Sequence, residues 1–196
     1  MKDIRLLGDI VKLKLAELHI PIQIYIGIEN VLLLIFAAKL TYVIPVFGYL
    51  DNFQPLVIVM IGVVYGYQAS LRGIALYLIL GMLGVPVFES TEAGLTFILA
   101  SNKIGIFLAY FLASVVAATL STYHWDRHLW TALLLFFLCL SVIHVLGQIV
   151  TYNHPPFSPE FMSYSLVSIS IKTLIGATFI NACWHLSYAV FPELRE

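Results

Sequence analysis

Lys172 lies about ten residues into the last apolar stretch of the chain, roughly 15 Å from that stretch's outer end at the helical rise. At that depth an ammonium does not easily reach water along its own helix, and ionisable groups inside a membrane are functional candidates by default. Two readings stand for it: a cation facing a ligand, or half of an ion pair with another helix. Ser165, Ser168 and Gly176 share its face at helical spacing, which gives a narrow, partly polar stripe suited to a cavity wall. Lys39 is the second cation, either turned toward the same cavity or snorkelling to the outer interface. His144 and Gln148 are four residues apart and share one face, for helix–helix hydrogen bonds or for a polar contact to ligand. Glu29 and Asn30 read as structural groups near the inner interface. Asn181, nine residues past Lys172, falls roughly opposite it, with His185 on the Asn181 side.

Other chemistries find little support. The run His124 to His128, HWDRH, has two histidines at i and i+4 but lacks a zincin glutamate and occupies a turn, so no metal site is expected. The chain has no P-loop, no dinucleotide-binding glycine set, and no Ser or Cys nucleophile with a visible base. The expectation is a protein that is not an enzyme, holds no cofactor and binds no nucleic acid. Cys139 and Cys183 both fall in apolar helices and read as packing residues, with no disulfide.

The elements that must position these groups are set by composition. Hydrophobic residues make up 61% and charged residues 11% of the chain, against about 25% charged in ordinary globular domains. The mean hydropathy is +0.95. In lipid only helices or closed barrels satisfy their backbone groups, and strict apolar/polar alternation is absent, so the expectation is an all-α integral membrane protein. Six transmembrane helices are expected, at approximately 22–42, 56–67, 70–84, 104–121, 129–150 and 162–188. The second and third are short and joined by a tight YQASLR connection, and helices of that length cross only if the bilayer is thin there or their ends are buried in protein. Pro45, Gly48, Asp51, Asn52 and Pro55 break helical periodicity, so residues 43 to 54 are expected to fold back over the membrane mouth.

Residues 1–20 read as an amphipathic interfacial segment, 21–190 as the six-helix substrate-binding domain, and 191–196 as a cytoplasmic tail. Placing both termini in the cytoplasm puts Lys2, Arg5, Lys12, Lys14, Arg72, Arg127 and Arg195 inside and leaves Lys103 near an outer loop, as the excess of cytoplasmic Lys and Arg demands.

Between Gln54 and Phe88 the residues Gln54, Gly62, Gly66, Tyr77, Gly81, Gly84, Pro86 and Phe88 follow the pattern Q-x7-G-x3-G…Y-x3-G-x2-G-x-P-V-F. This stretch resembles the BioY family, the biotin-binding S components of energy-coupling-factor transporters, and the likeness runs over approximately residues 30 to 190. The resemblance implies a subunit of the cell membrane that captures biotin outside and delivers it inward, with ATP hydrolysis left to separate ATPase subunits coupled through a transmembrane T component. The alternatives are an S component for another vitamin or small heterocycle, and an intramembrane enzyme using His144, Glu29 or Lys172.

The family commonly carries an Asp three residues before the Lys that matches Lys172; here that position is Ile169, and Ser168 is the weaker substitute. The entry to the fourth span reads LASNKIG where the family has a glycine-rich turn. The resemblance assigns Lys172 to the biotin carboxylate or to ordering the pocket. The substrate-binding set is Lys172, Lys39, Gln54, Ser168, Tyr77, Phe88 and His144. Tyr42, Tyr49, Phe53, Tyr77 and Phe88 are the aromatic candidates for walls around a bicyclic ligand, or else an interfacial belt. The glycines read as helix-packing positions.

Overall fold

The computed structural model describes residues 7–10, 12, 22–44, 48–89, 93–100, 104–151 and 159–190. Beyond residue 20 they form seven helices and one hairpin, with their connections: α1 (Ile22–Lys39), β1 (Thr41–Ile44), β2 (Tyr49–Asn52), α2 (Gln54–Tyr65), α3 (Tyr67–Met82), α4 (Leu95–Ala100), α5 (Ile104–Thr122), α6 (Leu129–Thr151) and α7 (Pro159–Val190). Four of them, α1, α5, α6 and α7, are long and apolar enough to cross a membrane. In each of those spans no more than half of the apolar window is buried inside the protein. The remainder, including Phe36, Leu108, Leu138 and Leu174, forms exposed apolar faces of the kind that lipid or a membrane partner covers.

At 12 residues, α2 is about 18 Å long. It sits at the centre, against α1, α3, α5, α6 and α7, and nine of its residues from Gln54 to Tyr65 are buried. Its ends are therefore enclosed by protein, one of the two conditions under which so short a helix belongs in a membrane. Asn52 Oδ1 accepts the Gln54 amide at 3.1 Å, and Pro55 occupies the first turn, where a missing N–H costs nothing. The connection to α3 is shorter than the sequence suggests. Gly66 alone separates the two helices, at φ 79°, and YQASLR forms the first turns of α3. A side chain at that φ would be strained, which accounts for the glycine.

The bundle is all-α as expected, and the described residues add one two-stranded hairpin to it. β1 and β2 pair antiparallel with Thr41 opposite Asn52, Tyr42 opposite Asp51, Val43 opposite Leu50 and Ile44 opposite Tyr49. Side chains alternate faces along a strand, so Ile44 and Asp51 turn inward while Val43 and Leu50 stand out at 54% and 65% exposure. The short helix α4 is likewise an addition to the expected loop. Of the N-terminal segment, residues 7–10 and 12 are described and helical. Leu7 joins the core, and a Cβ on Gly8 would meet the Val64 carbonyl at 2.5 Å, so this part packs onto the end of α2. The rest of that segment and the 191–196 tail lie outside the described residues.

Candidate ligand-binding site

The hairpin carries a carboxylate to Lys172. The two are 121 residues apart in sequence, and Lys172 Nζ donates to Asp51 Oδ1 at 2.8 Å, with the lysine side chain fully buried and that of the aspartate 9% exposed. This supplies the counter-ion that α7 lacks at Ile169. Lys172 Nζ also donates to Ser168 Oγ at 3.0 Å, one helical turn earlier on α7. Ser168 Oγ in turn donates to Asp51 Oδ2 at 2.6 Å, and the Tyr42 hydroxyl, directly across the ladder, donates to the same oxygen at 2.8 Å. The Asn52 amide donates to Oδ1 at 2.8 Å. Burial by itself would raise the Asp51 carboxyl, but the Lys172 ammonium and the hydrogen bonds from Lys172, Ser168 and Tyr42 outweigh it and hold Asp51 below the usual carboxylate range.

Each oxygen of Asp51 thus accepts two hydrogen bonds, which fills a carboxylate's acceptor positions. Lys172 has three N–H groups and uses two among the described residues. His144 Nε2 lies 3.4 Å from Ser168 Oγ. Because the serine proton points at Asp51, a bond there requires the proton on Nε2 of the imidazole.

Three residues after Asp51, Gln54 opens an aromatic wall. Tyr110 on α5 donates from its hydroxyl to Gln54 Oε1 at 3.4 Å. Rings then follow one another, Tyr110 to Phe107 at 6.2 Å, Phe107 to Phe88 at 5.6 Å and Phe88 to Tyr77 at 5.5 Å between centroids. The Tyr77 hydroxyl donates to the Val87 carbonyl at 3.2 Å, which pins the 83–89 loop over α3. Phe88 fills the space a Cβ on Gly81 would need, so this glycine makes room for a ring and not for a helix. The same loop is tied to the hairpin by Asn52 Nδ2, which donates to Glu89 Oε2 at 3.2 Å. Ser165 Oγ and Thr173 Oγ1 on α7 are buried without a hydrogen-bond partner among the described residues, and Gln54 Nε2 makes no bond of good geometry, with the Tyr77 hydroxyl its electrostatic neighbour. Buried polar groups are normally paired, so these hydroxyls are available to a hydrogen-bonding partner.

Lys172, Ser168 and His144 therefore come together, and Gln54, Tyr77 and Phe88 form the adjoining wall. Lys39 takes no part in these hydrogen bonds; it lies exposed in the last turn of α1. Tyr42 acts as a hydroxyl donor to Asp51 and packs on Phe53 at 4.8 Å. The side chains of Tyr49 and Gln148 lie outside the described residues. Asp51, Phe107, Tyr110 and Thr173 are new to the site.

The remaining polar residues hold the bundle. Tyr65 donates to the Glu29 carboxylate at 2.9 Å, and Asn30 Nδ2 donates to the Ala69 carbonyl at 3.2 Å, joining α1 to the α2–α3 junction. In the HWDRH turn, Asp126 is buried and accepts the Trp184 indole N–H, Arg127 lies 4.8 Å over that ring, and Asn181 Nδ2 donates to the Arg127 carbonyl at 3.1 Å. Burial pushes the Asp126 carboxyl up, against the opposing Trp184 bond.

The described residues thus form a helical bundle with four helices long and apolar enough to cross a membrane, and set a buried charged centre beside an aromatic wall, groups of the kind that could hold a small partly polar molecule. The chain belongs to the BioY family, which it matches over residues 16–188. Members of that family are substrate-binding components of transporters of the energy-coupling-factor type for biotin-like vitamins and are not enzymes. No curated protein and no solved structure matches the chain.

Proposed function

We propose that this chain is the biotin-binding S component of an energy-coupling-factor transporter of the cell membrane, taking biotin from outside and working with a transmembrane T component and ATPase subunits. The observation that carries the reading is the buried Lys172–Asp51–Ser168 centre beside the Gln54, Tyr77, Phe88, Phe107 and Tyr110 wall. A fused bicyclic ligand with one apolar face and one ureido edge needs that combination of flat ring surface and a few fixed polar groups. Purified protein is expected to retain biotin through detergent extraction and size exclusion, detected by mass spectrometry of the denatured sample. Protein that carries none, and that shows no heat on titration with biotin, would reject the ligand.

In this reading α1, α2, α3, α5, α6 and α7 make six crossings, with the hairpin and the 83–94 loop outside and the HWDRH turn inside. A cysteine at Thr91 is expected to react with an impermeant maleimide in intact cells, and one at His124 only after permeabilisation. The reverse pattern overturns the orientation.

A further inference from the structure

We propose that Asp51 sets the charge of the binding centre: by neutralising Lys172 from the hairpin, it directs the remaining Lys172 N–H to an uncharged carbonyl-type acceptor in the ligand's ring system and leaves the ligand's carboxylate to the other end of the site. This deepens the biotin reading above and rests on it.

Lys172 and Asp51 lie 2.8 Å apart and enclosed, and the Glu89 carboxylate, tied to the hairpin through Asn52, adds a second negative charge within electrostatic reach of Lys172. A ligand carboxylate brought to Lys172 would place two carboxylates at one buried ammonium, and like charges at close range in a poorly solvated site are costly. A neutral carbonyl adds no charge and satisfies the Lys172 N–H for which no described residue is an acceptor, since a buried N–H without an acceptor is itself unfavourable. Asp51 cannot take N–H groups from the ligand while all four of its acceptor positions are engaged by Lys172, Asn52, Ser168 and Tyr42. It is therefore a positioning residue, acting through Lys172. The buried hydroxyls of Ser165 and Thr173, on either side of Lys172 along α7 and without a partner among the described residues, are neutral as well, and they suit a ureido edge better than an anion.

The location of the charge is separable from its sign. Ile169 is buried at 4% exposure and lies three residues before Lys172, a spacing at which side chains on a helix reach each other. A carboxylate there would restore neutrality without restoring the bonds to the hairpin.

The test uses the whole chain in detergent or nanodiscs, with biotin, biotin methyl ester and 2-iminobiotin, in which a cationic guanidinium replaces the ureido carbonyl. The ester is expected to bind within about threefold of biotin, and iminobiotin roughly a hundredfold more weakly or worse, the effect of losing a charge-assisted bond and gaining a repulsion. A strongly rejected ester with iminobiotin accepted would overturn the assignment while leaving biotin as the ligand. Wild-type protein that binds no biotin fails the functional reading, and this assignment with it. Asp51→Asn is expected to weaken biotin binding about tenfold or more, and Ile169→Asp in the same chain to recover most of that loss. Absence of recovery in a double variant that elutes and melts like wild type counts against the charge role. If a variant does not fold, the three ligands on wild type still decide.

Discussion

Lys172→Ala is expected to destabilise the folded protein by about 3–5 kcal/mol and to abolish measurable biotin binding, because it leaves Asp51 buried beside Ser168 with no cation. The paired change, Lys172→Met with Asp51→Leu, is expected to return most of the stability, since well-packed apolar groups often replace a buried ion pair at little cost. It should not return binding, because the donor is gone. Thermal unfolding in detergent followed by tryptophan fluorescence, together with calorimetric titration of biotin, separates the two effects. Lys39→Ala serves as the comparison and should melt close to wild type, as Lys39 is exposed in the last turn of α1. A Lys172→Ala protein as stable as wild type would show that the ion pair is not formed.

Gly62→Ala should cost about 1–3 kcal/mol through overpacking between α2 and α5. An ideal Cβ on Gly62 would lie 2.7 Å from the Ser114 carbonyl oxygen and 3.3 Å from the Ser114 Cα, and backbone atoms cannot rotate away as a flexible side chain can. The helices would have to separate, moving Gln54 at the head of α2 relative to Tyr110 on α5, so biotin affinity should fall along with the melting temperature. The matched control is Gly27→Ala on α1, where a Cβ meets nothing within 4 Å. There the gain in helix propensity should leave the protein as stable or slightly more so. Equal melting of the two variants would mean that α2 and α5 do not approach as closely as described.

The helices were legible because their signals are local. Apolar runs, and Pro55 at a helix start, place boundaries within a few residues of those observed, although Gly66, read as a packing position, is the break between α2 and α3. Lys172 and Ser168 could be placed on one face from helical spacing alone. The partner of Lys172 could not, because 121 residues intervene and no periodicity relates a hairpin to a distant helix. A search of the sequence for the missing acid would have had to weigh Asp51 against Glu89, Glu92 and Glu160, all carboxylates in or beside the outer loops of the expected topology. Each strand is only four residues long and interrupted by Pro45 and Gly48 in the connection, too short for alternation to stand out from an apolar background. Phe107 and Tyr110 were hidden for a different reason. In an apolar span every aromatic looks alike until its neighbours are known.

Because α2 is walled in by five other helices, Gln54 and the adjoining Asp51 take their depth from protein contacts and not from the hydrocarbon around the molecule. Lipids with longer or shorter chains act on α1, α5, α6 and α7, whose outer faces they wet, and those helices can tilt to match. The binding centre is thereby insulated from changes in membrane composition, so the grip on a ligand should stay constant across bilayers of different acyl-chain length.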